Sequence, residues 1–321
     1  MHSALDGECT RLLHSKGLET LRSGDSRSAG QRPILVLGAA GQLGQAMAAR
    51  FAAERVTVAL TRGELDLRDA HAVRARVAEI APSAIVNCAG FNQVDLAETR
   101  IEEAMEANAF AVLTLARAAT EATATLVHYS SDFVFDGTID RPYTEQDQPA
   151  PQSVYAASKL LGEWFAAETP SHYVLRVESL FGGSLRKSSL DRIIDATAQG
   201  GPVKAFSDRV VSPSYAWDIV DATRAIVERQ PPAGTYHCVN TGSATWYDLA
   251  LEVRRQLNVD AAIEPISLAE VRLPAARPKY CALSNAKLLA AGIAMPSWQD
   301  GIARELAERM RTKNEERRTK N

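Results

Sequence analysis

Residues 33 to 44 read Pro-Ile-Leu-Val-Leu-Gly-Ala-Ala-Gly-Gln-Leu-Gly, and this stretch decides the fold. The apolar, β-prone run 34–37 stops abruptly at Gly38, which indicates a buried strand that ends in a tight turn. Apolar residues then recur at helical spacing, namely Leu43, Ala46, Met47 and Phe51. The sequence therefore predicts a strand, a turn and a helix in that order.

A turn of this kind forms a binding site for an anionic group. Backbone N–H groups and the positive end of the helix dipole point at one place, and Gly38, Gly41 and Gly44 let a pyrophosphate approach without Cβ clashes. The spacing G-x-x-G-x-x-G differs by one residue from the usual fingerprint, and glycines also end strands for purely structural reasons. Because a strand precedes the turn and a helix follows it, we predict a bound dinucleotide.

Strands and helices alternate after this first unit. Residues 56–60, 84–86 and 125–130 read as strands, and Val73, Val77 and Ile80 mark a helix between the first two. Residues 96–122 predict a long helix before the last of these strands. This order predicts an α/β fold with a doubly wound parallel sheet of the Rossmann type.

The end of the second predicted strand bears on the choice of cofactor. An NAD site usually places an acidic residue there to hold the ribose hydroxyls, but this chain has Thr61-Arg62. A guanidinium suits a 2′-phosphate, so we predict NADPH, with NADH as the alternative and an ordinary solvated arginine as the competing interpretation. Asp66 and Leu67 follow directly, and we expect them to frame the adenine side of the site.

Two further segments follow strands of the same sheet. Small Ala89 and Gly90 come after the third strand, where they would let the backbone run close to the cofactor. Ser131 comes after the strand at 125–130. Because the carboxyl ends of parallel strands face the ligand crevice, we expect Ser131 near the reacting end of the dinucleotide.

Tyr155 and Lys159 are four residues apart in a predicted helix and so share one face of it. A cation beside a phenol favours phenolate, so the sequence predicts a lowered pKa for Tyr155 and a usable proton donor and acceptor near neutral pH. Such a pair also arises often by chance. Its position downstream of the glycine turn and of Ser131 makes the catalytic interpretation stronger.

The composition excludes several classes of function. The chain has 321 residues, 46% of them hydrophobic, and a net charge of −3 without a basic stripe, so we expect neither a nucleic-acid nor a membrane partner. The cysteines, Cys9, Cys88, Cys238 and Cys281, are scattered without metal-ligand spacing, so we expect reduced thiols and no metal site. Residues 1–31 lack the apolar core of a signal peptide and read as a disordered extension of a cytoplasmic protein.

The glycine turn, the serine after the strand and Tyr155-x-x-x-Lys159 resemble, in order and spacing, the short-chain dehydrogenase/reductase family. More narrowly, residues 41–44, 87–98, 130–137 and Arg277-Pro278 resemble the dTDP-4-dehydrorhamnose reductase branch of its extended members. The resemblance runs from about residue 33 to residue 307 and leaves out both tails.

This resemblance implies NADPH-dependent reduction of the 4-keto group of a nucleotide-linked 4-keto-6-deoxy sugar. Tyr155 would protonate the C4 oxygen, Lys159 would bind the nicotinamide ribose and tune Tyr155, and Ser131 would hydrogen-bond the sugar carbonyl. Asn108 would support Lys159 through backbone and water contacts, and a homodimer is allowed. The resemblance also implies that Gln42 and Leu43 bind the cofactor and that Asp132, Ser179 and Arg277 bind the substrate.

Two loops depart from the branch. Where it usually has a tryptophan on the loop after Arg176, residues 177–182 read Val-Glu-Ser-Leu-Phe-Gly, and its usual Arg-Pro-x-x-Ser is Arg-Pro-Lys-Tyr-Cys at 277–281. Both loops belong to the substrate side. The reductase chemistry is therefore better supported than the rhamnose precursor as the substrate.

Two alternatives remain open. An epimerase or dehydratase of the same fold would recycle its cofactor, although a dehydratase is expected to carry Asp-Glu after the serine, and here Asp132 precedes Phe133. A non-catalytic NADP-binding regulatory subunit, resembling that of methionine adenosyltransferase, is the alternative outside enzymes. Intact Ser131, Tyr155 and Lys159 favour the enzyme.

The chain divides into two predicted domains. Residues 32–180 with about 211–242 form the dinucleotide-binding domain, and about 181–210 with 243–308 form a smaller α/β substrate domain, in which 185–199 read as a helix. Residues 309–321 form a charged tail that we expect to fray.

Overall fold

The computed structural model describes residues 32–319, so the predicted disordered extension over 1–31 lies outside the described residues. The strands of the described part are β1 (Ile34–Leu37), β2 (Thr57–Leu60), β3 (Ala84–Asn87), β4 (Thr125–Ser131), β5 (His172–Val177), β6 (Leu180–Phe181), β7 (Val203–Phe206), β8 (Val210–Val211), β9 (Ser214–Tyr215), β10 (Gly234–His237), β11 (Ala244–Thr245) and β12 (Ile263–Ile266).

The α-helices are α1 (Gln42–Ala52), α2 (Ala70–Ile80), α3 (Val94–Ala97), α4 (Ile101–Met105), α5 (Ala111–Glu121), α6 (Val154–Ala166), α7 (Ser189–Ala198), α8 (Ala216–Arg229), α9 (Trp246–Leu257), α10 (Ala286–Ala290) and α11 (Trp298–Thr319). A π-helical turn spans Glu106–Phe110, and 3₁₀ turns span Asp132–Val134 and Leu268–Glu270. Among the described residues, no helix is long and apolar enough to span a bilayer.

Six parallel strands form the central sheet in the order β10-β5-β4-β3-β1-β2. This order confirms the predicted doubly wound parallel sheet. The strand order reverses between β1 and β3, which in this fold class is the crevice where a dinucleotide binds. In register, Leu37 lies opposite both Leu60 and Asn87, so the loops after these strands leave the sheet at one edge.

Both faces of the sheet are buried, as a parallel sheet with crossover helices requires. Ile34 and Val36 of β1 pack into a cluster with residues of α1, α8 and β10, whereas Leu35 and Leu37 pack on the other face with residues of α2 and α5. The alternation follows from the period of two along a strand. The glycine turn therefore stands on a fully buried strand.

A separate apolar cluster lies among the segments assigned to the substrate domain. It joins α7, β7, α9 and α11 around side chains such as Ile194, Trp246 and Ile302. β7 pairs with β12, and β8 pairs with β11. The domain boundaries themselves stay a prediction.

Three expectations about helices were wrong. The long helix over 96–122 is broken near Arg100 and contains the π-helical turn, and the helix expected from residue 185 begins only at Ser189, where Ser188 and Asp191 form a capping box. The chain does not fray from Arg309, because α11 continues to Thr319. The Arg309 guanidinium pairs there with Asp191, Asp195 and Glu305.

Candidate active site

The three glycines of the turn after β1 have two different structural roles. Gly38 has a φ of +74°, and a Cβ on it would lie 2.6 Å from the backbone nitrogen of Ala89. A Cβ on Gly44 would collide with the Gly38 carbonyl. These two glycines therefore let β1, α1 and the loop after β3 pack closely.

Gly41 lies on the side of the turn that faces the cavity. It is the N-cap of α1 and provides no side-chain cap, so the first N–H groups of the helix have no partner from that residue. They face a cavity of about 280 Å³ that is also lined by Gly38, Arg62, Asp66 and Gly90. A helix N-terminus with a glycine cap at a cavity fits the pyrophosphate of a dinucleotide.

The remaining predicted cofactor residues fall into two groups. Leu67 and Ala89 also line the cavity. Gln42 instead donates from Nε2 to the Gly182 carbonyl at 2.6 Å, and the Leu43 side chain packs in the core, so neither of these two residues lines the cavity. Sequence reasoning missed several lining residues near predicted ones, namely Ala40, Arg68, Phe91, Asn92 and Glu103.

Two arginines, Arg62 and Arg68, line the cavity together with Asp66. The Arg68 guanidinium holds the Asp66 carboxylate with two nitrogens, at 2.6 Å and 3.0 Å, and this hydrogen bonding lowers the pKa of Asp66 to about 2. The Arg62 Nε lies 3.8 Å from Asp66 Oδ2, and 73% of the Arg62 side chain is exposed. Arg62 therefore remains available for an anionic group at the mouth of the cavity.

Ser131 and Tyr155 meet at the other end of the sheet edge. Ser131 is the last residue of β4, and its Oγ caps the 3₁₀ turn by accepting from the Phe133 N–H at 3.3 Å. Tyr155 lies in the first turn of α6, which Ser153 caps by accepting from the Ala156 N–H. The Tyr155 hydroxyl is within hydrogen-bonding reach of Ser131, and only 8% of the residue is exposed.

The predicted lowering of the Tyr155 pKa is wrong for this structure. Burial raises the pKa of Tyr155, the nearby Asp132 carboxylate raises it further, and the hydrogen bond with Ser131 opposes them. The cause of the error is the direction of Lys159, whose Nζ donates to the Tyr129 carbonyl at 2.5 Å. Tyr155 is therefore held as the protonated phenol, the form that donates a proton.

Lys159 and Asn108 are buried together beneath the loop after β3. Burial lowers the pKa of Lys159 to about 8. Asn108 lies in the π-helical turn, where it accepts from the Phe91 N–H at 2.7 Å and donates to the Phe91 carbonyl and to the Ser158 Oγ at 3.0 Å. A Cβ on Gly90 would lie 3.7 Å from Lys159 Nζ. Asn108 thus fixes the backbone next to Lys159.

The predicted substrate residues are placed unequally. Asp132 is 3% exposed, and its Oδ1 accepts from Ser131 Oγ at 2.7 Å. Ser179 has a φ of +45°, a left-handed backbone that is strained for a residue with a Cβ. Arg277 is bound to Asp95 at 2.9 Å, so its guanidinium is not the free donor that the sequence suggested. Their roles toward a substrate stay predictions.

Sequence reasoning missed a buried cluster behind Ser131. Ser131 lies opposite Val177 in the register of β4 and β5, so the next residues, Asp132 and Glu178, leave the sheet side by side. Cys281 completes the group, and one ligand-type atom from each of the three lies within 4.8 Å of the others. Two carboxyl groups after adjacent parallel strands were the signal that could have found the pair.

Together, a doubly wound sheet, a glycine turn opening on a cavity and a buried Ser-Tyr-Lys group define a dinucleotide-dependent oxidoreductase of the short-chain dehydrogenase/reductase type. Residues 32–311 match the RmlD substrate binding domain family. The chain belongs to this family.

Named relatives agree with this assignment. The chain is 37% identical over 273 residues to a probable dTDP-4,6-dihydroxy-2-methyloxan-3-one 4-ketoreductase of Streptomyces antibioticus, which covers 84% of this chain and 92% of the relative. It is 35% identical over 267 residues to a dTDP-4-dehydrorhamnose reductase of Streptomyces griseus, covering 81% and 88%. A dTDP-4-dehydrorhamnose reductase of Bacillus anthracis str. Ames, solved in complex with NADP, superposes with a TM-score of 0.83 at 30% identity, covering 87% of this chain and 99% of that one.

Proposed function

We propose that this protein is an NADPH-dependent reductase of the 4-keto group of a nucleotide-linked 4-keto-6-deoxy sugar. The observation that carries the proposal is the buried meeting of Ser131 and Tyr155 at the sheet edge, with Tyr155 on the same helix as Lys159, whose Nζ lies next to Gly90 in the wall of the glycine-turn cavity. Membership of the RmlD substrate binding domain family supports the same chemistry.

The chain's own residues hold and protonate the ketone. NADPH, when bound, supplies the hydride that the carbonyl carbon accepts. Ser131 Oγ holds the carbonyl oxygen, and Tyr155 donates its proton to that oxygen as the charge develops. Because burial keeps Tyr155 protonated, the residue is in the form that reduction requires. Lys159, buried next to Gly90, holds the ribose side of the cofactor.

The cofactor's other end fits the glycine-turn cavity. Gly41 and the first turn of α1 would hold the pyrophosphate, and Arg62 at the mouth would bind the 2′-phosphate with charge-assisted hydrogen bonds. Asp66, Leu67, Ala89 and Gly90 would form the walls. Arg68 is paired with Asp66 at 2.6 Å, whereas Arg62 lies 3.8 Å from Asp66 and is 73% exposed, so Arg62 is the better placed of the two arginines for the 2′-phosphate.

The nucleotide and the sugar are the finer part of the proposal. The relatives named above act, by their names, on dTDP-linked sugars with a keto group. The chain differs from the rhamnose branch in the loop 177–182 and at Cys281, both on the substrate side, so we propose a dTDP-linked deoxysugar without assigning its stereochemistry. We keep a cytoplasmic location and a homodimer as predictions.

A substrate panel tests the proposal. The protein is incubated with NADPH and a set of dTDP-linked and other nucleotide-linked 4-keto-6-deoxy sugars, and the loss of nicotinamide absorbance is followed. We expect turnover with at least one dTDP-linked member. Tight NADPH binding without turnover of any member would contradict the enzyme interpretation and favour the non-catalytic regulatory subunit.

A further inference from the structure

The carboxyl groups of Asp132 and Glu178 form a buried pair behind Ser131. Their residues are 3% and 2% exposed. Asp132 Oδ1 accepts from Ser131, and one oxygen of Glu178, Oε2, accepts from the Ser212 N–H at 2.6 Å. The second oxygen of each group, Asp132 Oδ2 and Glu178 Oε1, is buried without a hydrogen-bond partner.

The two carboxyl groups each leave one buried oxygen without a partner, and ligand-type atoms of the two groups lie within 4.8 Å of each other. Two carboxylates in one site cannot both stay ionised at low cost, and the usual solution is a single proton held by the pair. Such a proton would satisfy one oxygen as donor and the other as acceptor, which removes the cost of two unpaired buried acceptors.

The groups that face the pair set its charge. From other elements, Arg209 approaches both carboxyl groups, the Cys281 thiol faces both, Tyr155 lies near Asp132 and Tyr280 lies near Glu178. Burial raises the pKa of the Cys281 thiol, so the thiol stays neutral. One arginine therefore balances one negative charge, and a pair that holds one proton leaves this group of side chains neutral.

A continuous path joins the pair to the proposed proton donor. The Tyr155 hydroxyl reaches Ser131, Ser131 Oγ reaches Asp132 Oδ1, and Asp132 lies against Glu178. We propose that Asp132 and Glu178 share one proton and return it through Ser131 to Tyr155 after each reduction, which makes them positioning residues for proton transfer. This inference rests on the proposed reductase function.

The step balances as follows. The ketone gains a hydride at carbon from NADPH, which is oxidised, and gains a proton at oxygen as the Tyr155 O–H bond breaks. The Tyr155 phenolate takes a proton from Ser131 Oγ, and Ser131 takes one from the carboxyl pair. The pair then takes a proton from water once the product has left. The sum is one hydride and one solvent proton per alcohol formed.

Glu178→Gln tests the relay because it keeps the side-chain size and removes one carboxylate. Without that neighbouring negative charge, Asp132 loses its proton at lower pH, so no shared proton remains near neutral pH. We expect the first turnover, which uses the proton already on Tyr155, to keep its rate in stopped flow. Steady-state kcat should fall by about tenfold, below the 10²–10⁴-fold of direct proton transfer, with KM unchanged and the basic limb of the kcat profile moved to lower pH.

Glu305→Gln is the matched control. Glu305 is also a fully buried glutamate, but it pairs with Arg186 and Arg309 in another part of the chain. Its loss should leave the pH profile in place and should not separate the first turnover from the later ones. If Glu178→Gln slows both phases equally or leaves the pH profile unmoved, the relay is refuted.

Two measurements on the unchanged protein need neither turnover nor a folded variant. Infrared spectroscopy at pH 7 should show the carbonyl stretch of a buried protonated carboxylic acid, and the band should shift to lower frequency in deuterium oxide. Metal analysis should find no stoichiometric ion. The absence of the carboxylic acid band, or a stoichiometric bound metal, would overturn the shared proton whether or not the proposed function holds.

Discussion

The two ends of the site consist of different kinds of chemical group. The glycine-turn end, defined by Gly38, Gly41, Gly44 and the cavity with Arg62, consists of backbone groups and an arginine side chain that is 73% exposed. The serine end, defined by Ser131, Asp132, Tyr155, Lys159 and Glu178, consists of polar side chains that are each at most 8% exposed.

This difference decides what each end can do. At the glycine-turn end water screens the charges, so the loss of a side-chain contact with the cofactor should lower cofactor affinity and change little else. At the serine end the low dielectric makes each protonation state expensive to change, so a lost group should cost rate and alter pH dependence. Four substitutions test this contrast, beginning with the one of largest expected effect.

Tyr155→Phe should separate rate from binding. The change removes the hydroxyl and keeps the ring, so kcat should fall by about 10²–10⁴-fold while NADPH affinity and stability change little. Steady-state kinetics and fluorescence titration measure the two quantities. Tyr173→Phe is the control, because that buried hydroxyl donates to the Pro231 carbonyl away from the site. If Tyr155→Phe kept the kcat of the parent protein, the Tyr155 hydroxyl would have no role in proton transfer.

Arg62→Ala should affect affinity alone. Losing one charge-assisted contact to the 2′-phosphate should cost about 1.5–3 kcal/mol, or ~10- to 150-fold in the Kd of NADPH, with NADH spared. Titration calorimetry with both cofactors measures this. Arg68→Ala is the matched comparison, since Arg68 lines the same cavity but is bound to Asp66. If Arg62→Ala weakened the binding of NADPH and of NADH equally, Arg62 would not be the residue that binds the 2′-phosphate.

Gly44→Ala should destabilise the turn itself. The new Cβ meets the Gly38 carbonyl, which is backbone and cannot move aside, so the free energy of unfolding should drop by about 1–3 kcal/mol. Gly63→Ala is the control, because its Cβ would meet only the Thr61 hydroxyl at 3.9 Å, and the change should stay within about 0.5 kcal/mol. Urea unfolding curves of equal midpoint for the two variants would contradict the packing described for the turn.

The effect of Lys159→Met on stability should depend on pH. Burial lowers the pKa of Lys159 from 10.5 to about 8, so the folded state disfavours the charged lysine. That cost is fully present below pH 8 and disappears as the pH rises toward 10.5, because the unfolded chain then binds more protons than the folded one. The parent should therefore gain stability relative to Lys159→Met between pH 8 and 10. A constant difference across this range would show that Lys159 is not desolvated.

The same contrast explains how much the sequence could predict. The glycine-turn end is local in sequence, because a strand, three glycines and a helix lie within residues 33–52, and this strand, turn and helix were predicted correctly. The sheet was predictable because the alternation of apolar runs fixes it. The break near Arg100 was not, because Arg100 and the π-helical turn interrupt an otherwise continuous helical pattern without a proline or glycine.

The serine end depends on contacts between distant segments. Asp132 and Glu178 become neighbours only through the register of β4 with β5, and Cys281 arrives from a segment about a hundred residues further on. The sequence likewise could not predict the hydrogen-bond partner of Lys159. The i,i+4 spacing shows that Lys159 and Tyr155 share a helix face, but it does not show that Lys159 Nζ donates to the Tyr129 carbonyl. Burial then reversed the predicted pKa shift of Tyr155.

The central claim is that the site transfers hydride to the C4 carbon of a sugar nucleotide and delivers the accompanying proton from within the protein. Its most direct test is a reaction with NADPH deuterated at its transferable position, in ordinary water, followed by mass spectrometry and NMR of the product. We predict one deuterium on C4 of the sugar. Retention of all the deuterium on tightly bound cofactor, or its appearance at another sugar carbon, would contradict the account.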